Sequence, residues 1–442
     1  MPDAAHDVAE RAVELALREG ADTVEATVSI DRRFHAEARG DVVSRLERST
    51  AKALHVRAFV DGRKATLVTS DFTASTLADV LRRTIAAAAF VARDELAGLP
   101  ERFAQTIPDL GLCDPAIAER DEAAKVEEAL ELERAIRKLD ARIVNSNGSH
   151  YTDAASEIAI ANSAQFSGSY RSTRASRSSG PVAVDGQFKR TGHYGTAARR
   201  LGELEPLELV AGNAVRRATE MFGARKPLTM RVPVIFERDV AASIVDDIFA
   251  ALSGANVAAG NSWLIGRIGQ RVAADSVTIV DDGRLTGRLG SSPFDGEGVE
   301  TRRTPAIENG TLTTYLCDTY YARRLGIQST GNSNGSGVGA NNCFMQAGTA
   351  SLDEAIAATT RGVLVLDTIG FATEHATGAY SRGARGFFIE HGEKAYPIDE
   401  FTIAGGYLEM LNAIDLIGND LRFDGAVTAP SFRVSEMTIS GN

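Results

Sequence analysis

The sequence predicts an α+β protein, with an N-terminal helix and antiparallel-sheet domain followed by a β-rich C-terminal domain. Three observations lead there. The apolar period switches from helical to strictly alternating between Gly20 and Thr23. Two alternating stretches are joined by Asp61-Gly62, a dipeptide suited to the positive φ angles of a tight hairpin turn. Beyond Gly254, glycine becomes frequent and short β-prone stretches alternate with turn signals.

The chain has 442 residues, more than one hydrophobic core ordinarily supports, so two domains are expected. Lys226-Pro227, in the segment Gly223 to Arg231, marks the expected boundary, giving units 1–225 and 226–442. Within the first unit, Val8, Ala12, Leu15 and Ala16 share one helical face, and Gly20 stands where a C-terminal cap belongs. From Thr23, the residues Val24, Ala26, Val28 and Ile30 alternate with polar neighbours as a half-buried strand requires, and Phe34, Ala36 and Ala38 continue the pattern. Leu54, Val56, Ala58 and Val60 lead into the hairpin, with Lys64 to Thr69 as the return strand. Helical spacing returns at Leu77, Val80, Leu81, Thr84, Ile85 and Ala88.

Asp114-Pro115 reads as the start of a helix whose apolar stripe is Val126, Leu130 and Leu139. A meander of short strands is expected next, at Ile143-Val144, Ile158 to Ala161, Phe166 to Tyr170 and Val182 to Phe188, separated by Asn-Gly, Ser-Gly and Asp-Gly turns. A helix over Leu207 to Met221 closes this unit. In the second unit, Val232 to Phe236 reads as a strand, and Val240, Ile244, Ile248 and Leu252 as one face of a helix. Val277 to Val280 and Leu312 to Leu316 read as strands, and later helix signals are confined to Asp353 to Thr360 and Leu408 to Leu416. Gln328 to Asn342, polar and rich in glycine, reads as a long flexible loop.

Composition excludes several classes of function. Hydrophobic residues at 44% and charged residues at 24% fit a soluble globular chain, and no apolar run approaches the ~18 residues a membrane-crossing helix needs. Met1 to Glu10 has no basic and apolar signal pattern, so a cytoplasmic location is expected. The formal charge of −11, from 59 acids against 48 bases, disfavours direct nucleic-acid binding. Arg171, Arg174 and Arg177 lie among serines and read as solvated charges. Cys113, Cys317 and Cys343, odd in number and widely spread, read as reduced thiols and small buried side chains.

A zinc peptidase needs two imidazoles on one helical face, a third ligand and a carboxylate that handles the proton of the attacking water. The seven histidines, His6, His35, His55, His150, His193, His375 and His391, show neither H-E-x-x-H nor H-E-x-x-x-H spacing. A site assembled from distant positions would draw on His375 and His391 with Glu374 or Glu390, although isolated histidines beside acids read more simply as surface groups. Asp281, Asp282, Asp295 and Glu297 could supply oxygen ligands to a hard cation, but they lack calcium-loop spacing and read as acids in solvated turns. The glycine-rich stretch before Asn342 lacks the lysine and following helix of a phosphate loop. Ser329, Thr330, Ser381 and Cys343 are available nucleophiles, yet no G-x-S-x-G elbow occurs.

Three long segments, VDDGRLTGRLGSSPFDGEGVETRRTPAIENGTLTTYLCDTYYARRLGIQSTGNSNG (280 to 335), GAYSRGARGFFIEHGE (378 to 393) and EFTIAGGYLEMLNAIDLIGNDL (400 to 421), resemble the TldD/PmbA family. GADTVEATVS and VDGRKATLVTS extend the likeness, more loosely, into the N-terminal half. The family has two branches that pair with each other. TldD-type chains hold zinc through H-E-x-x-x-H on a central helix and a cysteine near the C-terminus. TldE/PmbA-type chains lack these ligands, and this sequence is similar to the second branch: its corresponding helix, RDVAASIVDDIFAALSG (238 to 254), has no histidine, and its last stretch, PSFRVSEMTISGN, has no cysteine.

The resemblance implies a heterodimer with a TldD-type zinc peptidase subunit, enclosing a chamber in which unfolded or extended peptides are cleaved. It implies no catalytic residue, cofactor or metal in this chain, with zinc in the partner, and no contact with nucleic acid or membrane. Asn341, Asn342, Gly378, Tyr380 and Ser381 are the candidates for lining the chamber or the interface, against a simpler role in forming turns. Two alternatives are a stand-alone metal-independent hydrolase and a homodimeric peptide-binding protein without catalysis.

Overall fold

The computed structural model describes residues 5–370 and 373–441. Met1 to Ala4, part of the segment read for a targeting signal, lie outside the described residues. Helix α1 (Ala5–Arg18) buries Val8, Ala12 and Ala16, and β1 (Thr23–Arg39) begins where the alternation does. β2 (Val42–Val60) and β3 (Arg63–Thr69) form the hairpin at Asp61-Gly62, whose φ angles of 48° and 70° are the left-handed values such a turn needs. Helix α2 (Ala74–Ala87) then buries Leu77, Leu81 and Ile85.

The helix read from Asp114 is two helices. Asp114 caps only α3 (Pro115–Ala118), and Asp121 caps a separate α4 (Glu122–Leu139). The expected stripe also shifts, because α4 docks through buried charges that a count of apolar residues passes over. Lys125 pairs with Asp153 at 2.6 Å, Glu128 with Arg177 at 2.8 Å, and Glu133 accepts hydrogen bonds from Ser146 and Ser149. Leu139, placed in that stripe by sequence, is exposed. Arg177 is likewise spent on a buried partner rather than solvated, while Arg171 and Arg174 are exposed.

The expected meander of short strands is instead two long ones, β4 (Ile143–Asn162) and β5 (Ser167–Asp185). Asn147-Gly148 lies in a register shift within β4, and Ser179-Gly180 stays in the strand, so these pairs mark irregularities rather than turns. Asp185-Gly186 does turn the chain, into β6 (Phe188–Thr191), with β7 (Tyr194–Ala198) and α5 (Leu207–Thr219) following. The antiparallel sheet runs β3-β2-β1-β4-β5-β6, with β7 also on β5. All helices of this half cover one face, where Val24, Val28, Phe34 and Ala36 are buried. Thr27, Ser29, Asp31, His35 and Glu37 alternate with them and point to the opposite face.

The second half is β-rich, as expected. It begins with β8 (Met230–Phe236), α6 (Arg238–Leu252) and α7 (Gly254–Ala258). A five-stranded sheet contains β9 (Ile279–Asp282), β10 (Arg303–Glu308), β11 (Thr311–Leu312), β12 (Cys343–Met345) and the late β18 (Val427–Thr428), in the order β11-β10-β9-β12-β18. Helix α8 (Thr319–Leu325), which carries no long apolar stripe, was not anticipated by periodicity. After α9 (Leu352–Ala357) come β13 (Arg361–Ile369), β14 (Thr373–Glu374), β15 (Ala379–Glu390) and β16 (Glu393–Gly406). The segment read as one helix over Leu408 to Leu416 divides into α10 (Tyr407–Asn412) and β17 (Ile414–Ile417), and β19 (Phe432–Ser440) ends the fold.

Strands β8, β19, β16, β15 and β13 pair in a ring, because β13 bonds both β15 and β8, so this second sheet closes on itself. Helix α6 packs against β12, β13 and β18, and its buried face, Val240, Ile244, Val245 and Ile248, joins the core shared by both C-terminal sheets. Among the described residues, no helix is long and apolar enough to cross a membrane.

Candidate functional site

Helix α6 is the hub of the C-terminal half, and one carboxylate leaves its buried face. Asp247 Oδ2 accepts hydrogen bonds from Arg382 Nη2 and from the Tyr407 hydroxyl, each at 2.5 Å. Tyr407 stacks on Trp263, with ring centres 5.9 Å apart, and Tyr380 meets Tyr407 edge-on at 5.6 Å. Gly378 closes this cluster: at φ 75° its Cα lies so near the indole that a Cβ would stand 2.9 Å from Trp263 Cγ. Burial pushes the Tyr380 phenol up to about 12, and among the described residues its hydroxyl has no hydrogen-bond partner.

Gly378 and Tyr380, two of the residues picked from sequence, are thus brought together. Ser381 is not: as the next residue on β15 it turns to the opposite side, exposed and opposite Ala404. Asn341 and Asn342 sit in a second cluster. Asp281 accepts hydrogen bonds from the Asn341 backbone at 2.9 Å and from the Asn332 and Asn341 side-chain amides at 2.8 Å. Asn342 donates to the Asp282 carbonyl and to Ser291.

Two sequence expectations fail here for one reason. Asp281, Asp282, Asp295 and Glu297 are all buried rather than solvated, and the stretch from Gln328 to Asn342 is tied down rather than flexible. Amides of that stretch satisfy two of the buried carboxylates, Asp281 through Asn332 and Asn341 and Asp295 through the Ser333 N–H, so stretch and acids hold each other there. Asp295 accepts from the backbone of Glu297, Val299 and Ser333. Burial outweighs these bonds and, with Glu297 nearby, raises Asp295 to about 8; burial likewise raises Asp281 to about 6. Glu297 reaches out of the cluster to the N-terminal sheet, where Arg57 Nη1 lies 3.1 Å away and also grips Glu25 at 2.6 Å.

The thiols and histidines complete the inventory. Cys317 and Cys343 are buried as expected, while Cys113 is exposed. Burial holds the Cys343 thiol well above its ordinary value, which disqualifies it as a nucleophile. His375 and His391 bracket β15 and stand apart by its length, about 40 Å for twelve residues, so they cannot share a metal. Among the described residues, ligand-type atoms converge instead at His35, Glu37 and His150, within 4.8 Å of one another. Sequence reasoning missed this group because the pairing of β1 with β4, which creates it, was not predicted.

Two family descriptions match the chain: the PmbA/TldA metallopeptidase central domain over residues 115–222, and the C-terminal domain over residues 229–441. A Metalloprotease PmbA homolog from Haemophilus influenzae is 32% identical over 98% of this chain and 95% of its own length. The chain belongs to the PmbA/TldD family. Metalloprotease PmbA of Escherichia coli O157:H7 is 31% identical over 99% of this chain and 97% of its own. A Metalloprotease TldD homolog from Buchnera aphidicola is 26% identical over 52% of each chain. Among solved structures, a protein from Bacteroides thetaiotaomicron described as a modulator of DNA gyrase superposes with a TM-score of 0.93 at 25% identity, covering 99% of this chain and 98% of its own. TldE from Thermococcus kodakarensis, at 22% identity and a TM-score of 0.88 over 98% of this chain and 100% of its own, shares the fold.

The relatives of this PmbA/TldD chain are named metalloproteases, so α6 can be tested for a peptidase metal. It does not fit one. The helix carries no imidazole, and its Asp247 carboxylate is paired with the Arg382 guanidinium.

Proposed function

We propose that this chain is the non-catalytic TldE/PmbA-type subunit of a heterodimeric TldD/TldE zinc metallopeptidase. The complex would cleave unfolded or extended peptides, in leader-peptide removal or the degradation of small proteins. The observation that carries the reading is the central helix α6 itself, which has no imidazole and whose Asp247 is paired with Arg382. The catalytic zinc is then the partner's. Likeness over the whole chain to PmbA-named relatives, against half of it for the TldD-named one, supports the same branch.

An extended peptide has an edge to join. β3 covers β2 only from Leu54 onward, which leaves the Val42 to Ala53 edge for main-chain pairing. The proposal includes a cytoplasmic location, two units meeting at 225/226, and no role for nucleic acid or membrane. Asn341, Asn342, Gly378, Tyr380 and Ser381 are proposed to line the chamber or the interface.

The test is cleavage of an unstructured fluorogenic peptide by the purified chain, alone and with a TldD-type subunit. Cleavage is expected only in the mixture, and a chelator should abolish it. Chelator-resistant cleavage by the lone chain would establish the stand-alone hydrolase instead. Peptide binding by a stable self-dimer that ignores the TldD-type subunit would establish the homodimeric binding protein.

A further inference from the structure

We propose that His35, Glu37 and His150 bind one divalent transition-metal ion of the zinc, cobalt and nickel class on the helix-free face of the N-terminal sheet. This site is separate from the central helix and does not depend on the function proposed above. Strand geometry builds it. His35 and Glu37 are two apart on β1 and point to the same side, and the β1–β4 register sets His150 directly opposite Glu37. His35 Nε2 and His150 Nδ1 are 3.1 Å apart. Two imidazole nitrogens on a tetrahedral ion lie about 3.3 Å apart, from metal–nitrogen bonds of about 2.05 Å, so the pair needs to open only slightly.

Local structure favours such an arrangement. The backbone at Gly148, at φ 110°, passes so close that a Cβ there would stand 2.9 Å from Glu37 Cγ and 3.0 Å from His150 Nε2. The Ser44 hydroxyl donates to Glu37 Oε1 at 2.8 Å and orients the carboxylate. In the ion-free pair one of the two facing nitrogens carries the shared proton. On binding, that proton moves to the other nitrogen of the same ring, so both lone pairs face the ion and no net proton is released.

The donor set selects the metal, since two imidazoles and one carboxylate suit zinc-class ions over calcium or magnesium. A cavity of about 180 Å³ adjoins His150, with His193 and Arg385 in its wall.

The experiment is titration of cobalt(II) alone into the chelator-stripped, partner-free chain. One equivalent is expected to bind with a visible ligand-field band. His35→Asn and His150→Asn should each weaken uptake roughly tenfold or more and together abolish it, while His193→Asn retains it. X-ray absorption of the zinc-loaded native chain needs no substitution and should report two imidazoles. Failure to take up one equivalent, uptake unchanged in the double variant, or a spectrum without imidazole ligands would each overturn the proposal. Neither measurement uses peptide or partner, so its failure is distinct from failure of the proposed subunit role.

Discussion

Arg57, on β2 of the N-terminal sheet, lies 3.1 Å from Glu297 of the C-terminal half while holding Glu25 of its own sheet at 2.6 Å. Both carboxylates are almost wholly buried, so this one guanidinium serves two acids from distant parts of the chain. Removing it strips both buried acids of their cation and leaves Glu297 its hydrogen bond from the Thr319 backbone N–H. Arg57→Met is expected to destabilise the protein by about 3–5 kcal/mol at neutral pH. Urea unfolding of the variant against the parent checks this; a change within ~0.5 kcal/mol would show that the contact is incidental.

Glu25, together with buried Asp295, gives stability an unusual pH dependence. Burial raises Glu25 from 4.5 to about 7, against the pull of Arg57, and Asp295 from 3.8 to about 8. Between the unfolded and folded values the native state holds more protons than the unfolded one, so stability falls as pH rises across that window. Their contribution is full below about 4 and lost above about 8. The urea midpoint at pH 6 should therefore exceed that at pH 8.5. A midpoint that climbs over this range would contradict the assignment.

Asn341 is expected to matter for order more than for chemistry. Asn341→Ala removes an amide donor at 2.8 Å from buried Asp281, at a cost of about 1.5–3 kcal/mol for a hydrogen bond to a charged group. Hydrogen exchange should accelerate across residues 328–342, which lose their anchor, while α1 and α2 keep their protection. Uniform acceleration in both regions would mean that the contact has no local role.

Gly378→Ala tests the aromatic cluster. The residue sits at φ 75°, and the new methyl would meet Trp263 Cγ at 2.9 Å, so strain of about 1–2 kcal/mol is expected. Because the chain has a single tryptophan, its emission reports the displacement directly. An unshifted spectrum with unchanged stability would show that the indole is not held there.

What the sequence revealed followed from local rules. The first helix, the hairpin at Asp61-Gly62 and the capped α5 and α6 all come from patterns within one element, and they fall close to where periodicity sets them. What it hid depends on pairing between distant segments. Asn147-Gly148 looks like a turn until β5 pairs with β4 on both sides of it, at Ser146 and Ser149, and holds the strand through it. Asp281 and Asn341 look solvated until they are set against each other, sixty positions apart. Gly378 and Tyr380 were picked as members of a glycine-rich segment, and the aromatic cluster that joins them depends on Trp263 and Tyr407 from other segments. Asp247 and Arg382, 135 positions apart, carry no mark in the sequence.

The four long strands β1, β2, β4 and β5 have one further consequence. At about 3.3 Å per residue, the 20-residue β4 extends roughly 65 Å and runs beneath both helical clusters of its sheet. Since β4 zips to β1 over fourteen consecutive residue pairs, a fragment cut at the start of the matched central-domain segment would bare one flank of that ribbon from Ser149 to Asn162. Such a fragment would leave the backbone N–H and C=O groups of that flank without their strand partner.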